Sequence, residues 1–351
     1  TGGDDNVAIG HEAMQSNTTG GQNVALGRDA LTSNTTASQN TAVGYLCMED
    51  NTTGTRNVAV GYQALKDNTT NNDNTAVGYY ALATCNGGYE NTAIGRNSMA
   101  SISTGAANTA VGVQSLDSAT TAGNCTMVGM YAGQGITTGN ANTAVGYMGL
   151  YGCTTGTDNI AIGKQALQDV TTGSNNMGIG LDAGRSGSPS GAISTDSNRI
   201  CIGNNSHADA FIKVSFTVTS DARDKTDVTD FTHGLSWVNS LRPVTYKWDK
   251  RTWYGSGVEG AADEFYGTPD GSKKKSSVNI GFLAQEMQAV EQTHGYGNSN
   301  DDSLIVYNNC DETSLGIKYE RLVPVLVNAI KELSEKNTAL ETRLNNAGIA
   351  T

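Results

Sequence analysis

Apolar and polar positions alternate along the first half of the chain with a fixed long period. The unit reads N-T-A-V-G-Y-x-A-L-x-x-N-T-T-G-x-x. Its first position falls at Asn6, Asn23, Asn40, Asn57, Asn74, Asn91, Asn108, Cys125, Asn142, Asn159 and Asn176, always 17 residues apart. A constant period without insertions marks a solenoid, and it outranks local propensity. Seventeen residues rich in Gly, Asn and Thr-Thr-Gly leave no room for a helical pair. Two short strands and two turns per coil are predicted, with coils about 4.8 Å apart.

Position three is nearly always Ala (Ala8, Ala25, Ala42), and position four is always branched aliphatic (Ile9, Leu26, Val43). Strand neighbours point to opposite faces, so both faces are apolar although a coil has only one inside. The outer row needs a cover. Sister chains in a trimer would supply it, and so would a second sheet of the same chain. Position five is Gly in every copy, which predicts positive φ or close backbone approach. In-register Asn predicts side-chain ladders.

Past Gly184 the period breaks at Arg185-Ser-Gly-Ser-Pro-Ser-Gly-Ala. A last copy, Asn198-Arg-Ile-Cys-Ile-Gly203, returns five residues late, and Asp209–Thr219 reads as a strand. From Ser220 the character changes. Trp237, Trp248 and Trp253, the chain's three tryptophans, all lie there. Gly234–Pro243 predicts a short helix, Val244–Trp248 a strand, 252–278 a Gly- and Lys-rich loop, and Asn279–Val290 a strand then a helix. A long helix from about Tyr319 carries Val323, Leu326, Ile330, Leu333, Asn337, Leu340 and Leu344 at heptad spacing. That seam predicts a coiled coil, with the alternative of one helix packed on its own domain.

The chain is therefore expected to be mainly β. The parts are a trimeric β-solenoid (β-roll) shaft over 1–184, an irregular repeat and connecting strand over 185–219, and a small α+β domain over 220–351 that ends in the coiled-coil helix.

Composition narrows the function. The 351 residues include 43 Gly and 4 Pro, and the net charge is -12. Such acidity argues against nucleic-acid or anionic-membrane partners, and no apolar run approaches a membrane span. The six cysteines form no CxxC pair, which fits free thiols made in a reducing cytoplasm. Asp and Glu are too sparse in the repeats for a recurring Ca²⁺ site; no metal and no cofactor is expected. The same sparseness leaves no paired carboxylates for a capsule-degrading glycosidase. The Thr-Thr pairs suggest turns rather than an ice-binding face. Tyr45, Tyr62, Tyr79 and Tyr147 suggest a surface ladder, with sugar stacking as the sharper alternative. The chain starts at Thr1 without Met, so a longer protein is expected.

One stretch carries chemistry. Ser220-Asp221-Ala222-Arg223-Asp224-Lys225 stands at the junction of the two halves. A serine hydroxyl needs a base, and a desolvated lysine can serve. Read alone, the same stretch is better explained as a solvated turn entering a helix.

It is followed in order by Gly-Leu-Ser-Trp-Val-Asn-Ser-Leu-Arg-Pro-Val, Gly-Phe-Leu-Ala-Gln-Glu and Tyr-Glu-Arg-Leu-Val-Pro-Val-Leu. Over Ser220–Asn345 this resembles the self-cleaving intramolecular chaperone domain of phage tailspikes and fibres, the endosialidase-tail type. The repeats resemble trimeric adhesin heads and phage fibre shafts. The resemblance implies a homotrimer, cleavage between Thr219 and Ser220, and a dyad of Ser220 and Lys225 supported by Asp221 and Arg223. The expected function is a phage tail-fibre or receptor-binding protein. It would be made in the host cytoplasm, carried on the virion tail, and directed at a glycan or protein on the host surface. A non-enzymatic bacterial surface adhesin, also trimeric, is the alternative.

Overall fold

Each Asn-x-Ala-Val-Gly core forms a three-residue strand that pairs in parallel with the same segment one coil away. A computed structural model describes residues 3–207, 210–213, 216, 218–256, 266–310 and 314–348. The strands run from β1 (Val7–Ile9) and β2 (Val24–Leu26) at 17-residue steps to β11 (Met177–Ile179), then β12 (Ile200–Ile202), in one sheet ordered by sequence. Register is strict: Ala8 faces Ala25, and Ala25 faces Ala42. The result is a β-solenoid with 17-residue spacing. Contacts divide the chain into two units, Thr1–His207 and Ala208–Thr351.

Position three points inward. Ala25, Ala42, Ala59 and Ala76 are fully buried with Leu31, Leu65 and Leu82 of position nine. One narrow interior forces residue volumes to trade. Where position three is Met127, position nine is Gly133, and a Cβ there would lie 2.6 Å from the Met127 sulfur. Position four points out: Ile9, Leu26, Val60, Ile94, Val145 and Ile162 are all exposed, and among the described residues of this unit no second sheet covers them.

The two asparagine rows hold the coils together. Asn23 N–H donates to Asn6 Oδ1 at 2.8 Å, and Asn40 N–H to Asn23 Oδ1 at 2.9 Å. Each Nδ2 closes its own coil, as Asn23 does on the Ala37 carbonyl at 2.8 Å. At position twelve, Asn34 donates to Asn17 Oδ1 and Asn68 to Asn51 Oδ1. That row ends where Cys85 and Ile102 replace Asn, leaving Asn68 Oδ1 without a hydrogen bond.

The predicted second strand is absent among the described residues. Positions seven and nine take left-handed φ instead, as at Gln63 (53°) and Leu65 (51°). Alternating handedness coils the backbone too tightly for an extended run. The turns still bond between coils, as in Leu65 N–H to the Ala81 carbonyl at 3.0 Å. The invariant glycine behaves as expected: Gly112 has φ +143°, and a Cβ there would meet the Gly129 carbonyl oxygen at 2.4 Å.

The last copy needs a corrected alignment. β12 pairs Ile200 with Met177, so Arg199, not Asn198, takes position one, and its N–H donates to Asn176 Oδ1 across 23 residues. Against the usual 17, six residues are extra, and they loop out between Gly184 and Ile193. The strand predicted over Asp209–Thr219 falls partly outside the described residues. Its described members form no strand.

The second unit is a small α+β region. Helix α1 (Leu235–Ser240), strand β13 (Val244–Tyr246), strand β14 (Asn279–Gly281) and helix α2 (Ala284–Thr293) stand as predicted, with β13 and β14 antiparallel. The predicted loop 252–278 lies partly outside the described residues. A hairpin of β15 (Val306–Asn308) and β16 (Leu315–Ile317) follows. Helix α3 (Leu322–Asn346) continues from a 3-10 turn at Tyr319–Arg321. Trp237, Met287, Ile305, Val306, Leu322 and Val325 form the core. Two distant contacts seat α1 on α3: Leu235 N–H donates to Glu332 Oε2 at 3.1 Å, and Asn328 Nδ2 donates to the Phe231 carbonyl.

α3 has two apolar stripes. Leu322, Val325 and Ala329 are buried in the unit's own core, whereas Val323, Leu326, Ile330, Leu333 and Leu340 are exposed. The helix thus packs one stripe on its own domain, as the alternative expected, and the heptad seam lies on another, exposed face.

Candidate active site at Ser220 and Lys225

Lys225 lies five positions after Ser220, and a single 3-10 turn, Ala222–Asp224, folds one back on the other. Asp221 caps that turn. Its Oδ1 accepts the Arg223 N–H at 2.9 Å, and its carboxylate also takes the Arg223 guanidinium, with Nη2 to Oδ2 at 2.6 Å. Arg223 holds the Asp221 carboxyl below the usual carboxylate range, chiefly through that side-chain bond, and its own pKa rises in return.

Past the turn, Lys225 Nζ lies 2.6 Å from Ser220 Oγ and 3.4 Å from the Ser220 carbonyl oxygen. The turn thus brings together a hydroxyl and an amine, with Asp221 and Arg223 fixing the curvature rather than touching either. Ser220, Lys225 and Thr219 are all exposed, as are Phe211, Phe216 and Val218 just upstream. An amine at this distance can take the hydroxyl proton once it is itself unprotonated, which burial favours.

Residues 220–296 match the family model described as the chaperone of endosialidase. The match opens on Ser220 itself and ends before α3. That family is a self-cleaving peptidase domain, and with the β-solenoid the match fits a phage tail fibre of the endosialidase type. Searches of curated proteins and of solved structures give no match to this chain. No helix among the described residues is long and apolar enough to cross a membrane.

The other candidates resolve into structure. Thr hydroxyls of position thirteen donate to the next coil, as Thr18 Oγ1 does to the Thr35 carbonyl at 2.8 Å. Tyr45, Tyr62 and Tyr79 stack ring on ring, with centroids 5.3 and 5.1 Å apart. Tyr62 therefore has both faces occupied, whereas Tyr147 stands outside this stack and meets Tyr131 edge-on, with centroids 6.1 Å apart.

Proposed function

We propose that this chain is a homotrimeric phage tail-fibre or receptor-binding protein whose C-terminal segment directs assembly and then cuts itself away. The observation that carries the reading is the 2.6 Å approach of Lys225 Nζ to Ser220 Oγ, at the first residue of the chaperone match. In the single chain this pair is exposed, and so are the apolar segment before it and the outer stripe of α3. Three chains brought together along that stripe would cover the junction, desolvate the lysine and free its lone pair. Cleavage then reports that assembly is complete.

The reaction is an N-to-O acyl shift. Lys225 takes the Ser220 hydroxyl proton, and Oγ bonds to the Thr219 carbonyl carbon. The Thr219–Ser220 C–N bond breaks, and the proton passes to the departing amine. Water then hydrolyses the ester to give the Thr219 carboxylate and the Ser220 hydroxyl. The repeat shaft with its irregular last coil stays on the virion tail to engage a host surface receptor, and the 220–351 segment leaves.

Intact mass and light scattering test this on wild type, Ser220→Ala, Lys225→Ala and Lys225→Arg. Wild type should give two fragments divided at Ser220. The three variants should give trimeric, uncut chain, since Arg stays protonated and is no base. Cleavage of Ser220→Ala at the same bond and rate would overturn the reading.

A further inference from the structure

Positions six and seven of each coil follow the strand-ending glycine. In the first two coils they hold His11 and Glu12, then Arg28 and Asp29. Stacking places position seven of one coil beside position seven of the next, so two carboxylates stand in register. Elsewhere that position is mostly neutral, as at Leu46, Gln63, Tyr80 and Asn97.

His11 Nδ1 lies 3.7 Å from Asp29 Oδ1 and 4.0 Å from Glu12 Oε1, and one donor atom from each residue falls within 4.8 Å of the others. The backbone sets this arrangement: Asp29 N–H donates to the His11 carbonyl at 2.9 Å, and Glu12 and Asp29 share left-handed φ of 57° and 59°. Asp29 is only 8% exposed. Its Oδ2 takes Arg28 Nε at 3.2 Å, but its Oδ1, turned toward the imidazole, has no hydrogen bond. A buried carboxylate oxygen without a donor is costly, and a second carboxylate beside it adds repulsion. A cation on the open side relieves both.

We infer that His11, Glu12 and Asp29 bind one divalent first-row metal ion of the zinc class, clipping the first coil to the second. One imidazole and two carboxylates suit Zn²⁺, Co²⁺ or Ni²⁺, whereas Ca²⁺ and Mg²⁺ prefer all-oxygen shells. Bonds of about 2.0–2.2 Å place the donors of a tetrahedral ion roughly 3.3–3.6 Å apart. The 3.7 and 4.0 Å spacings from His11 are wider than that, and all three donors lie within 4.8 Å of one another, so the exposed His11 and Glu12 side chains close in on the ion by rotating. Two carboxylates balance the ionic charge, Arg28 orients Asp29 from behind, and water takes the remaining position. This is a single site, distinct from the recurring Ca²⁺ site that the sequence rules out.

The full chain, stripped with a chelator and desalted, is titrated with Zn²⁺ by calorimetry and with Co²⁺ by visible absorption. The expected result is one ion per chain, with the intense visible band of tetrahedral Co²⁺. His11→Ala should weaken Zn²⁺ binding at least about tenfold and remove the Co²⁺ band. Asp29→Asn should do the same, and His207→Ala should change neither. His11 is exposed, so its loss leaves the interior intact and decides the matter even if Asp29→Asn misfolds. No uptake at micromolar Zn²⁺, or uptake unchanged in His11→Ala, overturns the site. The ligands precede Ser220, so the result reads the same whether or not the chain is cut there.

Discussion

The repeat array and the C-terminal unit satisfy their chemical groups in opposite ways. In the array almost everything is settled one coil away. Asn91 N–H bonds Asn74 Oδ1, Asn91 Oδ1 takes Asn108 N–H, and Asn91 Nδ2 closes on the Gly105 carbonyl. In the C-terminal unit the decisive contacts span 97 residues, as from Leu235 to Glu332, and a buried carboxylate, Glu291, is satisfied by the N–H groups of Ile305 and Val306. The array leaves one narrow aliphatic row outside. The C-terminal unit leaves a helix stripe five side chains long, with Ile330 67% exposed. A structure built from neighbour contacts is complete wherever it has neighbours, whereas the second unit keeps an apolar helix stripe exposed.

That contrast can be broken experimentally. The largest effect belongs to the outer stripe of α3. Leu326→Asp with Ile330→Asp should leave the unit's own core folded by circular dichroism, because neither side chain enters it. Assembly should fail, and cleavage with it, as read by light scattering and intact mass. A monomeric variant that still cuts itself would show that the stripe and the junction are independent.

Next comes the array's backbone. Gly112→Val puts a Cβ 2.4 Å from the Gly129 oxygen at φ +143°, which should cost the shaft about 3 kcal/mol or more. An unchanged melting temperature of the shaft would mean that the coils can shift apart. Asn91→Leu is milder. It strips the Asn108 N–H and the Gly105 carbonyl of their partner, for about 1–3 kcal/mol in melting experiments. A stabilised variant would show that the ladder serves register rather than stability.

A chemical probe sharpens the comparison further. Burial pushes the Cys47 thiol up to about 12 and Cys153 to about 11, and raises Cys85 and Cys125 as well. The thiolate is the reactive form. A thiol reagent at pH 8 should therefore modify half-buried Cys310 first and spare the array until it unfolds. Rapid labelling of Cys47 in the native protein would reveal opening coils. The smallest effect is expected at Arg56→Ala, which removes an exposed bidentate pair with Asp73. Such pairs contribute little, and the melting temperature at physiological salt should not move.

Much of this was legible in the sequence, for particular reasons. The glycine at position five and the asparagines at position one announce close approach and ladders, because few other residues tolerate those places. The Ser220–Lys225 stretch and the α1, β13, β14 and α2 segments carry short-range signals of their own. The second strand was misread because Leu65, Gln63 and Tyr80 have no intrinsic taste for left-handed φ; stacked neighbours impose it. Asn198 misled the register by looking like position one while Arg199 filled it. The hairpin at 306–317 went unread, since two three-residue strands barely show a period. His11 and Asp29 are 18 residues apart and meet only after stacking, so no motif joins them. The turn that swings Lys225 onto Ser220 depends on the Asp221 cap, which spacing alone does not reveal.

The left-handed residues at positions seven, nine and seventeen have a kinetic consequence. Non-glycine residues pay roughly 1–2 kcal/mol each to adopt that conformation, and a typical coil holds three, such as Gln114, Leu116 and Asn124. A lone coil bears that cost with no neighbour to offset it, so the first turn is a poor nucleus. Each later coil has a template and adds cheaply. Growth is then a zipper that waits for a starting point, and melting is a zipper that opens only from its ends. A middle coil has no local route out. Once stacked, such a shaft persists by the slowness of its unfolding and has no continuing need of whatever helped it begin.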